Sequence, residues 1–372
     1  MTEITLIPEA RALRLTWPDG ERADYPFLWL RDNCPSAWHP ETEEKVLDLL
    51  EVSPEVAPAR AELAGDALRI GWDGTGHESR FPLDWLRAHR PGHPRRDPAD
   101  VARTAWRGNL GAGAIPRARA SEVLEDDGAL ARWLRAAKAT GLSIVEGLAD
   151  DPEAGLAVAR RVGFLRETNF GVTFEVRSKP NPNNLAYTAD ALPLHTDLPN
   201  QELPPGWQFL HCLRNEAEGG GSVFADGLAL AEDLAGRDPE AFELLSTVAI
   251  PFRFHDAGCD IRRRQKVITL DDAGRFSEIC WNAHIADVLD LAPEVMERYY
   301  RAYRAFMAMT RDPAYRIELK LAPGEMVVFD NRRVLHGRAA FDPSTGARHL
   351  VGCYVDRGEF DSQLRVLARD GA

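Results

Sequence analysis

The sequence predicts an α+β protein: a small β-rich domain over residues 1–95, a crossing linker over 96–119, and over 120–372 a double-sheet jelly roll buttressed by helices. Three observations carry this. Short alternating apolar–polar runs, closed by Asp, Pro and Gly turns, fill the start of the chain. Between Arg87 and Arg119 the composition shifts to Pro, Arg and Gly, which marks a boundary. Beyond it, capped helix patterns alternate with strand runs, and short strands broken by turns close the chain. At 372 residues the chain exceeds what one core usually serves, so two domains are expected.

Taken in order, Ala12-Leu13-Arg14-Leu15-Thr16-Trp17 alternates as a strand and ends in the turn Pro18-Asp19-Gly20. Ala67-Leu68-Arg69-Ile70-Gly71-Trp72 followed by Asp73-Gly74 has the same pattern, although no internal repeat is expected along the chain. Leu130, Trp133, Leu134 and Ala137 follow helical spacing and Gly141 stops that helix, after which Leu142-Ser143-Ile144-Val145 reads as a buried strand. Asp151-Pro152 and Asp238-Pro239 each combine an N-cap with Pro at the first helical position. The longest helical pattern runs from Ala292 to Met309, and short strands follow, including those carrying His336 and Arg348.

Composition narrows the function classes. With 44% hydrophobic and 28% charged residues the chain is an ordinary globular one, and its net charge of −13 excludes nucleic acid and anionic membrane as expected partners. No apolar run approaches the length of a membrane span. Met1-Thr2-Glu3-Ile4-Thr5-Leu6 lacks the basic-then-apolar start of a signal peptide. Five widely spaced cysteines make no disulfide framework, so a cytoplasmic setting is expected.

The chemistry centres on Leu194-His195-Thr196-Asp197. Side chains two apart on a strand share a face, so His195 and Asp197 can present an imidazole and a carboxylate to one point. His336, in Val334-Leu335-His336-Gly337-Arg338, supplies a third ligand, and two histidines plus one carboxylate with open positions suit non-haem Fe(II). Among ten His and 58 acidic residues an H-x-D arises by chance; the further Arg348, twelve residues past His336, makes chance a poor account. A two-strand return through Phe341-Asp342-Pro343-Ser344-Thr345-Gly346 is expected to bring its guanidinium beside His336, where a dicarboxylate needs a bidentate cation. His89, His93, His211 and His349 are read as solvated or packed residues, and Gly219-Gly220-Gly221 as a tight loop rather than a phosphate cradle.

Asn183-Asn184-Leu185-Ala186-Tyr187-Thr188, Leu194-His195-Thr196-Asp197, Leu210-His211-Cys212, Val328-Phe329-Asp330-Asn331, Leu335-His336-Gly337-Arg338 and Arg348-His349-Leu350 together resemble the γ-butyrobetaine hydroxylase family. Trp29-Leu30-Arg31-Asp32-Asn33-Cys34 and Gly76-His77-Glu78-Ser79 extend the resemblance, from about residue 10 to about residue 368. That family comprises Fe(II)/2-oxoglutarate oxygenases and includes trimethyllysine hydroxylase.

The resemblance implies a double-stranded β-helix catalytic domain, with His195, Asp197 and His336 as Fe(II) ligands and Arg348 on the distal carboxylate of the co-substrate 2-oxoglutarate. O2 is the oxidant, and because Asp197 keeps the carboxylate that halogenases on this scaffold replace, hydroxylation or desaturation is expected. Phe170, Phe174, Tyr187 and Tyr354 align with an aromatic cage for a trimethylammonium group, with Leu198 where a further tyrosine stands, and Asn184 and Asn282 match asparagines lining the site. The implied substrate is a small betaine-type molecule such as γ-butyrobetaine; an amino acid, phosphonate or secondary metabolite, and a non-catalytic scaffold of the same fold, are the alternatives. Cys34, His39 and His77 fall where the family holds a structural zinc, but Ser36 and His39 replace two of its cysteines, and three ligands fall short of the usual four. A homodimer is the remaining expectation.

Overall fold

In the computed structural model, residues 1–177, 188–369 and 371 are described. The chain divides into two compact units, Met1–Asp97 and Pro98–Ala372. The segment 96–119 is not the linker its Pro and Gly content suggested. Beyond Asp97 it belongs to the second unit, where Ala99, Trp106 and Ile115 are buried and Trp106 Nε1 donates to Thr140 O at 2.7 Å. Its irregular backbone is held by such side-chain anchors rather than by periodic structure.

The first unit is built twice from one pattern. Strands β1 (Glu3–Ile7), β2 (Ala12–Thr16) and β3 (Arg22–Pro26) form an antiparallel sheet that runs into helix α1 (Phe27–Asp32). Strands β4 (Pro58–Ala64), β5 (Ala67–Trp72) and β6 (Glu78–Pro82) do the same and run into α2 (Leu83–Ala88). The absence of a repeat expected from sequence is therefore corrected: Ala12-Leu13-Arg14 matches Ala67-Leu68-Arg69, and Trp29-Leu30-Arg31 matches Trp85-Leu86-Arg87. Alternation buries Leu13, Leu15, Leu68 and Ile70 in one core. The matching helices meet there, with the Trp29 and Trp85 rings 5.8 Å apart.

The second unit opens with β7 (Arg117–Arg119), α3 (Ala120–Glu125), α4 (Asp127–Thr140), β8 (Leu142–Glu146) and α5 (Pro152–Val162). Each stop and start has a local cause. Gly141 leaves α4 at φ 74°, the region that favours glycine, and Asp151 caps α5 by accepting Glu153 N–H at 3.0 Å. Next come β9 (Thr173–Val176), β10 (Leu192–His195), β11 (Trp207–Asn215), β12 (Glu218–Gly219), β13 (Ser222–Asp226), α6 (Gly227–Arg237) and α7 (Pro239–Thr247). Two hairpins, β14 (Ile250–His255) with β15 (Asp260–Gln265) and β16 (Ile268–Leu270) with β17 (Phe276–Ile279), precede α8 (Pro293–Arg311). The chain closes with β18 (Ile317–Leu319), β19 (Met326–Asp330), β20 (Val334–Arg338), β21 (Phe341–Asp342), β22 (Arg348–Val355) and α9 (Arg357–Arg369).

Two sheets face each other: six strands in the order β7-β8-β19-β11-β22-β9, and four in the order β10-β20-β13-β18. Alternation sorts their side chains into layers. Cys212, Leu350, Val327 and Phe329 of the first sheet pack with Phe224, Ile317 and Val334 of the second between the sheets. Trp207, Phe209, Val328 and Val355 turn outward under α4, α5 and α9, while Val223, Ala225 and Leu335 turn outward under α6, α7 and α8. This is the double-sheet jelly roll buttressed by helices that the sequence predicts, and its open end carries the inward positions His336, Arg338, Arg348 and Tyr354.

Candidate active site

His195, Asp197 and His336 form the one group of three His, Cys, Asp or Glu among the described residues whose donor atoms converge, all within 4.8 Å of one another. His195 Nε2 lies 3.2 Å from Asp197 Oδ1, and His336 Nε2 lies 3.6 Å from Asp197 Oδ2. Register explains the first meeting: β10 and β20 are antiparallel neighbours, and His195 stands opposite His336. Asp197 differs from expectation, because β10 ends at His195 and the carboxylate sits just past the strand. Its position is set by backbone clamps instead. Thr196 exchanges bonds with Trp281 (N–H to O 2.6 Å; Trp281 N–H to Oγ1 2.9 Å), and the amide of Asn331 takes Asp197 N–H at 2.7 Å. Leu198 then turns the chain at φ 55°.

The charge states fit a cation site. Burial pushes the Asp197 carboxyl up, but the imidazoles of His336 and His195 more than reverse this and hold it well below the usual carboxylate range. Burial, and then His195, push His336 below the ordinary imidazole range, the direction that favours the neutral ring a metal binds. His195 Nδ1 lies 2.9 Å from Pro193 O, which fixes the ring with Nε2 toward Asp197. Two nitrogens and a carboxylate oxygen, closely spaced and sheltered, are a donor set that fits a divalent transition metal.

Arg348 does reach this cavity, but not by the expected hairpin. β20 lies in the four-stranded sheet and β22 in the six-stranded one, so the segment between them crosses from sheet to sheet and Arg348 faces the cavity from the opposite wall. Burial and neighbouring Arg338 push its guanidinium down to about 10, which leaves it cationic at neutral pH. Its Nε and Nη1 are buried with no hydrogen-bond partner among the described residues. Arg338, by contrast, donates to Thr188 O and Asp190 O at 2.8 and 2.7 Å. Gly220 makes room for Arg348: at φ 69°, a Cβ there meets Arg348 Nε at 3.1 Å. The three-glycine loop is thus part of the guanidinium's seat.

Both walls enclose a cavity of about 410 Å³ that contains the triad, Arg338 and Arg348. Phe170, Phe174 and Tyr354 line it as expected, and so does Phe254, which the sequence did not single out. The rings pair: Phe170 meets Phe254 edge-on at 5.3 Å, and Phe174 stacks on Tyr354 at 5.0 Å. Gly352 permits the stack, since a Cβ there lies 2.4 Å from Phe174 Cζ. Asn282 lines the cavity, but its amide serves the backbone, accepting His284 N–H at 3.0 Å and donating to Thr196 O at 3.3 Å. Asn184 and Tyr187 lie outside the described residues.

The zinc positions of the first unit do not fit a closed site. Cys34 Sγ lies 3.1 Å from Ser36 Oγ and 3.5 Å from His77 Nε2, while His39 Nδ1 accepts from the N–H groups of Glu41 and Thr42 at 3.3 and 3.2 Å. Serine offers no thiolate, and His39 Nδ1 is taken by backbone N–H groups of its own turn.

Comparison with known proteins agrees with this geometry. The family model described as "Taurine catabolism dioxygenase TauD, TfdA family" matches residues 102–354, and that described as "Gamma-butyrobetaine hydroxylase-like, N-terminal" matches residues 4–87. A gamma-butyrobetaine dioxygenase of Pseudomonas sp. (strain AK-1) is 42% identical over 367 residues, covering 97% of this chain and 94% of its own length. The gamma-butyrobetaine dioxygenase of Homo sapiens is 32% identical over 374 residues, covering 96% of this chain and 95% of its own. A crystal structure of a taurine dioxygenase from Burkholderia xenovorans superposes with a TM-score of 0.50 at 14% identity, covering 69% of this chain and 90% of its own, a likeness of fold. With one family model spanning most of the second unit and another most of the first, the chain belongs to the TauD/TfdA dioxygenase family and carries its gamma-butyrobetaine hydroxylase-like amino-terminal domain.

Proposed function

We propose that the protein is an Fe(II)- and 2-oxoglutarate-dependent hydroxylase of a small quaternary-ammonium substrate, γ-butyrobetaine or an analogue. The observation that carries this is the convergence of His195, Asp197 and His336 in one cavity with a buried Arg348 and four aromatic rings. His195, Asp197 and His336 would hold ferrous iron, which would supply the O2 chemistry that couples 2-oxoglutarate decarboxylation to substrate hydroxylation.

The chain's own share is binding and placement. Arg348 offers a fork of unpaired donors to the distal carboxylate of 2-oxoglutarate. Phe170, Phe174, Phe254 and Tyr354 present ring faces and edges to a trimethylammonium group. Leu210, Ile285 and Leu350 line the same cavity and keep water from the reacting carbon. A second reading keeps the cofactors but changes the substrate to one with a larger anionic group, an amino acid or phosphonate. His255 and His284 in the same lining favour it, while Arg253 there is already paired with Asp260 at 2.8 Å. Succinate release across a panel of betaines and their phosphonate counterparts separates the two: release with betaines supports the first reading, and release with phosphonates alone contradicts it.

The first unit is proposed to hold no zinc. The five cysteines, all free, support a reducing cytoplasmic setting. Among the described residues no helix is long and apolar enough to cross a membrane. A homodimer is carried over from the family resemblance and is tested by the mass in solution.

A further inference from the structure

Tyr354 does two things at once. Its ring stacks on Phe174 at 5.0 Å and lines the cavity, while its hydroxyl donates to Asp197 Oδ2 at 2.7 Å. The aromatic alignment accounts for the ring and leaves the hydroxyl unexplained. A phenylalanine there keeps the wall, so the O–H has a separate purpose.

Asp197 needs that partner. Its backbone is held by Asn331, but its side chain emerges beyond the end of β10, outside the strand ladder. Of its two oxygens, Oδ1 faces His195 Nε2 at 3.2 Å, while Oδ2, 3.6 Å from His336 Nε2, takes the shorter contact from the phenol at 2.7 Å. A hydrogen bond to one oxygen fixes the rotation of the carboxylate plane and draws charge from that oxygen. Oδ1 is then the stronger base toward a cation. β22 also carries Arg348, six residues before Tyr354 on the same face, so one strand addresses both the co-substrate niche and the ligand carboxylate.

We propose that Tyr354 is a positioning residue for the metal-binding carboxylate: its hydroxyl holds Asp197 so that a single oxygen is offered to the metal, leaving coordination positions for the co-substrate and O2. Through its ring the same residue ties the substrate wall to that carboxylate. This rests on the triad being a metal centre, as proposed above.

The test uses the full-length, metal-free protein, Co(II) as probe, calorimetry for affinity and the visible Co(II) spectrum for geometry. Tyr354→Phe keeps the ring and removes the O–H. It is expected to weaken Co(II) binding by about 10- to 100-fold and to alter the spectrum. Its KM for γ-butyrobetaine should move by less than about threefold. Phe174→Leu is expected to do the reverse, raising KM and leaving Co(II) affinity and spectrum as in the parent. Matched thermal melting of the metal-free proteins establishes that the variants fold. Unchanged Co(II) affinity and spectrum in Tyr354→Phe overturn this inference alone, whereas a parent protein that takes up no Co(II) overturns the metal-centre reading and this inference with it.

Discussion

The amide of Asn331 grips Asp197 from both sides of its peptide, accepting Asp197 N–H at 2.7 Å and donating to Asp197 O at 3.1 Å, while also donating to Pro205 O at 3.1 Å. Asn331 is fully buried and follows β19, so a rigid strand end sets the place of a residue that lies outside any strand. Asn331→Leu leaves these backbone groups unpaired and should cost about 1–3 kcal/mol of stability. Denaturant unfolding measures that loss, and calorimetry with Mn(II) should show weaker metal binding although Asn331 is not a ligand. Parent-like metal affinity in a destabilised variant would contradict the positioning role.

Arg348→Ala should raise the 2-oxoglutarate concentration needed for half-maximal turnover by at least about 100-fold, since a buried bidentate cation is lost. Metal affinity should stay near the parent value, because Arg348 is not part of the converging donor group. Arg348→Lys should recover only part of the loss, a point charge replacing a planar fork.

Ser36→Cys with His39→Cys restores thiolates at both positions where the zinc pattern is broken. Beside Cys34 and His77, which lie 3.5 Å apart, this completes four ligands. Metal analysis should give substoichiometric zinc in the parent and about one zinc in the first unit of the double variant. Stoichiometric zinc bound there in the parent would contradict the assignment.

Asp233 predicts an acid limb of stability. The bidentate bonds from Arg107 hold its carboxyl down to about 2, against burial and with help from the Tyr315 hydroxyl. A depressed native pKa means the stabilisation is present above the unfolded carboxylate range, near pH 4, and is lost as pH falls toward 2. Asp233→Asn should therefore lower stability at pH 7 by about 1–2 kcal/mol. The gap to the parent should close between about pH 4 and pH 2 in urea melts across pH. A gap that persists at the acid end would contradict the assignment.

Much of the fold was legible because its signals are local. Asp151-Pro152 and Asp238-Pro239 cap their helices, Gly141 stops α4 in the left-handed region, and alternation sorts β22 into Arg348, Leu350 and Tyr354 inside and Cys353 and Val355 outside. What failed depends on sheet assignment. Nothing local to Phe341–Gly346 says that the chain changes sheets there, so a hairpin was expected where a crossing occurs. Phe254 was missed because its strand, β14, forms a hairpin with β15, and no spacing links that hairpin to the H-x-D motif. Asn331 stood within a recognisable segment, but its task is a bond across 134 residues, visible only once β19 is placed beside Asp197. The linker reading of 96–119 failed because irregular backbone and exposed backbone look alike in composition. Buried Trp106 was the available hint.

The most direct test of the central claim is sequential calorimetry, Mn(II) first and 2-oxoglutarate second, on the parent, His336→Ala and Arg348→Ala proteins. The parent is expected to bind one Mn(II) and then one 2-oxoglutarate, His336→Ala to lose both, and Arg348→Ala to keep the metal and lose the co-substrate. Undiminished binding of 2-oxoglutarate to the Arg348→Ala protein, or of Mn(II) to the His336→Ala protein, would contradict the claim.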